Sequence, residues 1–262
     1  MPRVMMMKDN LNERNADFVQ TPLKQPVFLN SVPKCGTHLI RNIMRMFVPL
    51  EQQYHASFVQ IPTLRQHGPF AFDPRSPKLS WGHLLFSDDS AAFTRPTRHV
   101  VLVRDPYDWV LARARFFLSE NFEGRTDNLK SGAFDTNDIL NMMIFGIYQK
   151  APHIEEIFRH NAAAWMGSTT YMIRYEDLVA HVKKLNSDEA QVYFFKLFAF
   201  CGIDVPADWR KRVEVGADRR QSSTARENLA GGLQDLPDEL PDAQKKLVDY
   251  AAPGLRALLG YT

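Results

Sequence analysis

The sequence predicts an α/β fold, a three-layer α/β/α domain around a central parallel sheet. Strand-like apolar runs at 27–32, 79–83, 99–103 and 169–174 alternate with segments of helix length, the pattern of parallel strands joined by crossover helices. Two of these runs, Val27–Val32 and His99–Val103, lead directly into turns with phosphate-binding chemistry, as expected at the carboxyl edge of such a sheet. A length of 262 residues, 45% hydrophobic and 24% charged, suits one α/β domain with a full core.

Each element follows in order. Residues 1–21 are polar and are expected to form a flexible arm, leaving 22–262 as a single domain. Met5-Met6-Met7 is too short for the apolar core of a signal peptide, and no run approaches the length of a membrane span. A cytoplasmic protein without a membrane span is expected. Strand 27–32 is followed by a turn and a helix over 37–47, in which Leu39, Ile40, Ile43, Met44 and Phe47 form one apolar face. Residues 49–78 are rich in Pro, Gln and aromatics without clear periodicity, and are read as an irregular segment able to line an acceptor pocket. Strand 79–83, a short helix at 88–94, strand 99–103 and a helix at 106–118 come next, the last opened by Pro106. A polar loop covers 119–137. A helix at 138–149 carries Ile139, Met142, Met143, Phe145, Ile147 and Tyr148, read as core packing. Helices at 152–165, 175–184 and 187–201 flank and follow strand 169–174. The tail from Leu240 to Leu259 reads as an amphipathic helix broken near Pro253-Gly254.

The turn Pro33-Lys34-Cys35-Gly36-Thr37-His38 is a phosphate cradle in chemical terms. Unpartnered N–H groups and the dipole at a helix start attract an anion. Lys34 adds a full charge and Thr37 a hydroxyl donor. It is not a Walker A loop, because the lysine precedes the only glycine of the turn. After the second run, Arg104 heads Arg104-Asp105-Pro106-Tyr107-Asp108. Its planar fork at a strand end suits a phosphate; the alternative is a salt bridge to a neighbouring carboxylate. His83 ends the strand Leu79-Ser80-Trp81-Gly82, and the unperturbed pKa of a histidine lies near neutrality.

Composition excludes other classes. A net charge of +2 gives no case for general nucleic-acid binding. No cluster has metal-ligand spacing, so no metal is expected. Two cysteines, Cys35 and Cys201, give no disulfide framework. Cys35, at a helix start beside Lys34, is expected to be an acidified, reactive thiol in a reducing compartment.

Together these motifs resemble those of the sulfotransferases that use 3′-phosphoadenosine 5′-phosphosulfate (PAPS). Pro33-Lys34-Cys35-Gly36-Thr37 is similar to that family's 5′-phosphosulfate loop, Pro-Lys-Ser-Gly-Thr. Arg104 to Asp108 is similar to its 3′-phosphate element. The resemblance runs from about Val27 to the end and implies a P-loop-like α/β/α fold. It also implies sulfuryl transfer from PAPS, with adenosine 3′,5′-bisphosphate (PAP) as product, to a hydroxyl or amine of a small-molecule or glycan acceptor. On this resemblance Lys34 and His83 are catalytic. Lys34, Cys35, Gly36, Thr37, His38, Arg104, Tyr175 and Arg226 bind the cofactor. Tyr175, from Tyr175-Glu176-Asp177-Leu178, corresponds to a tyrosine beside the adenine, and Arg226 to a 3′-phosphate arginine. His38 is the weaker candidate for the base, and Glu120 or Glu123 for an acceptor-side group. The chain departs from the family pattern at Ala112, where a phosphate-binding serine is usual, at Trp81, where a lysine is frequent, and at Glu227-Asn228, where Lys-Gly is usual. Arg113, Arg115 or Arg226 are candidates to compensate for Ala112. A non-catalytic nucleotide-binding protein and a P-loop kinase-like phosphoryl transferase stay open as alternatives.

Overall fold

The computed structural model describes residues 3–4, 8–124, 126–222, 225, 229 and 236–262. In chain order the elements are β1 (Arg3–Val4), α1 (Leu11–Asn15), β2 (Val27–Ser31), α2 (Thr37–Arg45), α3 (Ile61–Ala71), β3 (Leu79–Gly82), α4 (Asp88–Thr94), β4 (Arg98–Val103) and α5 (Pro106–Leu118). Then follow β5 (Phe122–Glu123), α6 (Thr136–Phe145), α7 (Ile154–Asn161), β6 (Thr170–Arg174), α8 (Tyr175–Lys183), α9 (Asp188–Cys201), α10 (Trp209–Gly216), α11 (Asp242–Ala251) and α12 (Leu255–Leu258). Among the described residues, no helix is long and apolar enough to cross a membrane.

The central sheet is parallel, with strand order β3-β2-β4-β6. Its register aligns Leu29 with Trp81 and Val100, and Asn30 with Gly82 and Val101. Alternate residues serve opposite faces. On one face Trp81 meets Arg41 of α2, and Tyr171 stacks on Phe200 of α9. On the other, Phe28 packs on Phe72 and His99 on Trp165. Both faces are therefore covered, which explains why β2 and β4 are nearly continuous apolar runs. The fold class read from the sequence is the fold found.

Several local expectations are corrected. The segment 8–21 is packed on the domain: Leu11 is fully buried, Asn15 donates to the Arg45 and Val48 carbonyls, and Asp9 pairs with Arg45. Its composition is mostly polar and its contacts are long-range, so along the chain it resembles a free arm. The segment 49–78 contains α3, with Pro62 in its first turn and Pro69 inside it; the prolines hide its periodicity. Helix α10 was absent from the sequence reading because its short Trp-Arg-Lys-Arg-Val-Glu-Val-Gly sequence has too few apolar positions to show a stripe. Gly216 lets it lie directly on α2, where an added Cβ would sit 2.4 Å from the Ile43 Cα. The helix expected over 138–149 ends at Phe145.

His99 is a buried titratable group in this core. It is 3% exposed, lies between the Phe28 and Trp165 rings, and its Nε2 has no hydrogen-bond partner. Burial pushes its pKa down to about 3. The unfolded chain thus takes up this proton near pH 6.5, well before the folded one does. The contribution is complete above about pH 6.5 and is lost as the pH falls toward about 3. His99→Phe should flatten the acid side of the stability profile by one proton, about 1.4 kcal/mol per pH unit. Urea unfolding at about pH 5 and about pH 7 reads this slope; an unchanged slope in the variant would remove His99 from the acid response.

Candidate active site

The turn between β2 and α2 is held from several sides. Trp109 of α5, itself fully buried, donates from Nε1 to the Pro33 carbonyl at 2.6 Å. Lys34 takes a left-handed backbone with φ +69°, an unfavourable conformation for a side-chain-bearing residue that such turns hold at functional sites. Gly36 follows with φ +95° and caps α2, with no side chain closing the helix N-terminus. The first N–H groups of α2 are left for an external acceptor.

Two cations meet at this turn. The Lys34 ammonium lies 3.5 Å from the centre of the Phe116 ring, and the Arg104 guanidinium lies 4.7 Å from the Tyr175 ring centre. The Arg104 Nε is buried without a hydrogen-bond partner. Burial, with the Arg104 charge adding to it, holds Lys34 down to about 7. Among the described residues, Arg104 does not form the salt bridge that is the alternative reading of its position. Tyr175 also touches the turn: the space beside the Gly36 Cα is filled by its ring.

His83 lies on the other side of the turn. Its Nδ1 is 2.8 Å from the Ser31 carbonyl oxygen and 3.2 Å from the Ser31 hydroxyl. A carbonyl oxygen only accepts, so Nδ1 carries the proton and Nε2 keeps the lone pair. The Ser31 hydroxyl is also 2.5 Å from the Thr37 hydroxyl. With Ser31 accepting from Nδ1–H and donating to Thr37, the Thr37 proton is free for a ligand oxygen. Burial pushes His83 down to about 4; its bond to Ser31 opposes this and the Lys34 charge adds to it. The ring is neutral at pH 7.

The strand ends fix this histidine. Asn30 accepts from the Leu84 and Ser31 N–H groups and donates to the Leu84 carbonyl. Asn161 and the Trp165 indole add donors to that carbonyl. On the outer side, Val59 accepts from the His83 N–H, and the Phe58 ring stands edge-on to the imidazole, 4.7 Å between centres.

The same architecture appears in solved structures. No family profile matches the sequence, and no curated protein matches it. The crystal structure of mouse sulfotransferase SULT7A1 complexed with PAP superposes with a TM-score of 0.53 at 17% identity, covering 98% of this chain and 95% of that one. The chain has a sulfotransferase-type fold. A sulfotransferase domain from the curacin biosynthetic pathway also matches, with a TM-score of 0.41 and 14% identity over 92% of this chain and 99% of that one.

In this sulfotransferase-type fold, Lys34, Gly36, Thr37, His38, His83, Arg104 and Tyr175 gather around one turn at the carboxyl edge of the sheet. Cys35 is corrected. Its side chain is fully buried in the core, and burial pushes its thiol well up, outweighing Arg104 and Lys34. It is an inert core thiol that contributes backbone to the turn, not an acidified one. His38 is held down to about 3 by burial and by the Arg41 and Lys34 charges. Arg226, with Glu227 and Asn228, lies outside the described residues. Arg113 is not free to compensate for Ala112: it is buried and donates to the Met143 and Pro152 carbonyls. Arg115 is turned to the Pro237 carbonyl.

Several contributors escaped the sequence reading. Asn30 and Ser31, polar residues at the end of a buried strand, were the available signal. Glu176 accepts from the Asp105 N–H and from the Tyr261 hydroxyl, while Arg256 grips the Asp105 carboxylate at 2.9 Å. The C-terminal tail thereby braces the Arg104 turn through contacts that no local pattern announces.

Proposed function

We propose that this protein is a sulfotransferase that moves a sulfuryl group from PAPS to a hydroxyl or amine of an acceptor. The observation that carries the reading is the pair Lys34 and Arg104, with no carboxylate paired to either among the described residues, at the uncapped start of α2 and beside an oriented neutral histidine. Two adjacent cations without a counter-ion fit an anionic nucleotide. The orphaned Arg104 Nε is a ready donor to a phosphate.

Each residue then has a role. The Gly36, Thr37 and His38 N–H groups hold the 5′-phosphate, and the Thr37 hydroxyl donates to one of its oxygens. Arg104 takes the 3′-phosphate, and Tyr175 borders the adenine. PAPS supplies an activated sulfuryl group when bound. Lys34 stabilises the charge that grows on the leaving phosphate oxygen. The approach of an anion raises its pKa from about 7 and keeps it protonated. His83 accepts the acceptor's proton at Nε2.

Thermal denaturation with PAP and with ATP–Mg²⁺ tests this reading, using wild type and Arg104→Ala. At about 100 times its Kd, PAP should add about 2.7 kcal/mol of apparent stability to wild type and little to the variant. A response to ATP–Mg²⁺ alone would replace the reading with phosphoryl transfer. No response to either would leave a non-catalytic protein.

A further inference from the structure

We propose that the acceptor carries an oxyanion, and that Arg41 of α2 binds it. This rests on the sulfotransferase reading of the neighbouring turn. Arg41 lies three residues beyond His38, about 4.5 Å further along the axis of α2 and on the same helix face. Its guanidinium stands over the Trp81 ring, 4.1 Å from the ring centre. The Nε is buried without a hydrogen-bond partner.

The neighbouring carboxylate does not satisfy it. Asp9 is bound on both oxygens by Arg45, at 2.9 and 3.1 Å, and accepts from the Leu11 N–H as well. Arg45 also donates to the Gln53 and Asn12 side-chain oxygens. Two arginines one turn apart thus share one acid, and Arg41 is the one left over. Its charge reaches His38 and His55, depressing both in addition to their burial. Burial and the Arg45 charge hold Arg41 itself down to about 10. A half-buried guanidinium in a positive field, with no hydrogen-bond partner on its Nε among the described residues, is the setting in which a ligand oxyanion is worth most.

The position joins this cation to the reacting atoms. His38 feels the charges of Lys34, His83 and Arg41 together, and Trp81, the ring beneath Arg41, lies two residues before His83 in the chain. Phe58, against the His83 ring, and exposed His55, edge-on to Trp81, line the same side. An acceptor with its nucleophile at His83 Nε2 therefore presents its far end to Arg41, roughly one helical turn away. A fork of N–H donors there selects carboxylate or phosphate over a neutral or cationic group.

The test uses phenols matched in shape: 4-hydroxyphenylacetate, tyrosol and tyramine, which are anionic, neutral and cationic. Isothermal titration of the full chain with PAP present compares wild type with Arg41→Gln, and PAP affinity is measured for both. The acetate should bind wild type roughly tenfold or more tighter than tyrosol, with tyramine weakest. In the variant that preference should collapse while PAP affinity stays unchanged. With 4-hydroxybenzylphosphonate as a further arm, tighter binding than the acetate points to a phosphate-bearing acceptor, and weaker binding to a carboxylate. Equal affinities across the series, a preference that survives Arg41→Gln, or no phenol binding at millimolar concentration would each overturn the assignment. If PAP fails to bind wild type while an Arg41-dependent anion preference is found, the nucleotide reading falls and the Arg41 assignment stands.

Discussion

His83→Asn should lower kcat for sulfuryl transfer by about two to four orders of magnitude and leave PAP affinity nearly unchanged. The side-chain amide keeps an N–H donor for the Ser31 carbonyl, which His83 Nδ1 reaches at 2.8 Å. It offers no lone pair able to accept a proton at the position of Nε2. The strand end is held independently by Asn30, Asn161 and Trp165 around Leu84, so the turn should keep its shape. The pH profile sharpens the test. In the free protein His83 is held at about 4, so it is already in its basic form throughout the neutral range. An anionic donor beside it favours the imidazolium and raises that value. The acid limb of kcat should therefore lie at higher pH than the acid limb of kcat/KM for the donor. A variant whose kcat falls less than about tenfold would take the base role away from His83.

The fold was legible because its evidence is local. Val27 to Val32 and His99 to Val103 are apolar runs too short for helices, and each is followed by a segment with helical spacing. Pro106 marks the start of α5, which the structure begins at that residue. The turn proposed to hold phosphate could be picked out for the same reason: Lys34, Gly36 and Thr37 lie close together in sequence. What could not be read is what depends on distant partners. The chemistry expected of Cys35 followed from its neighbours along the chain, but its burial beneath the turn decides its ionisation. Arg113 and Arg104 look alike as arginines near a phosphate motif. Only the carbonyls of Met143 and Pro152 reveal that the first is structural. The roles of Tyr261 and Arg256, which brace the Arg104 turn from the end of the chain, and of Arg41, whose lack of a partner depends on Asp9 choosing Arg45, likewise belong to packing.

Gly36→Ala should cost roughly 2–4 kcal/mol of stability and remove PAP binding, although it adds a single methyl group. Two effects combine. At φ +95° an alanine is in a backbone region that side-chain-bearing residues rarely adopt, a strain of order 1–3 kcal/mol. The added Cβ also lies 2.4 Å from Tyr175 Cδ2 and 2.7 Å from Cε2, far inside contact distance. The tyrosine must move, and with it goes the ring on which Arg104 rests at 4.7 Å. A change in the turn proposed for the 5′-phosphate is thereby transmitted to the arginine proposed for the 3′-phosphate. A double-mutant cycle separates the two effects. Tyr175→Ala relieves the clash and leaves the backbone strain, so the pair should show a favourable coupling of about 1 kcal/mol or more. Additive costs in urea unfolding would mean that Tyr175 does not rest against the glycine. The link between the two anion-binding ends of the site would then have to run elsewhere.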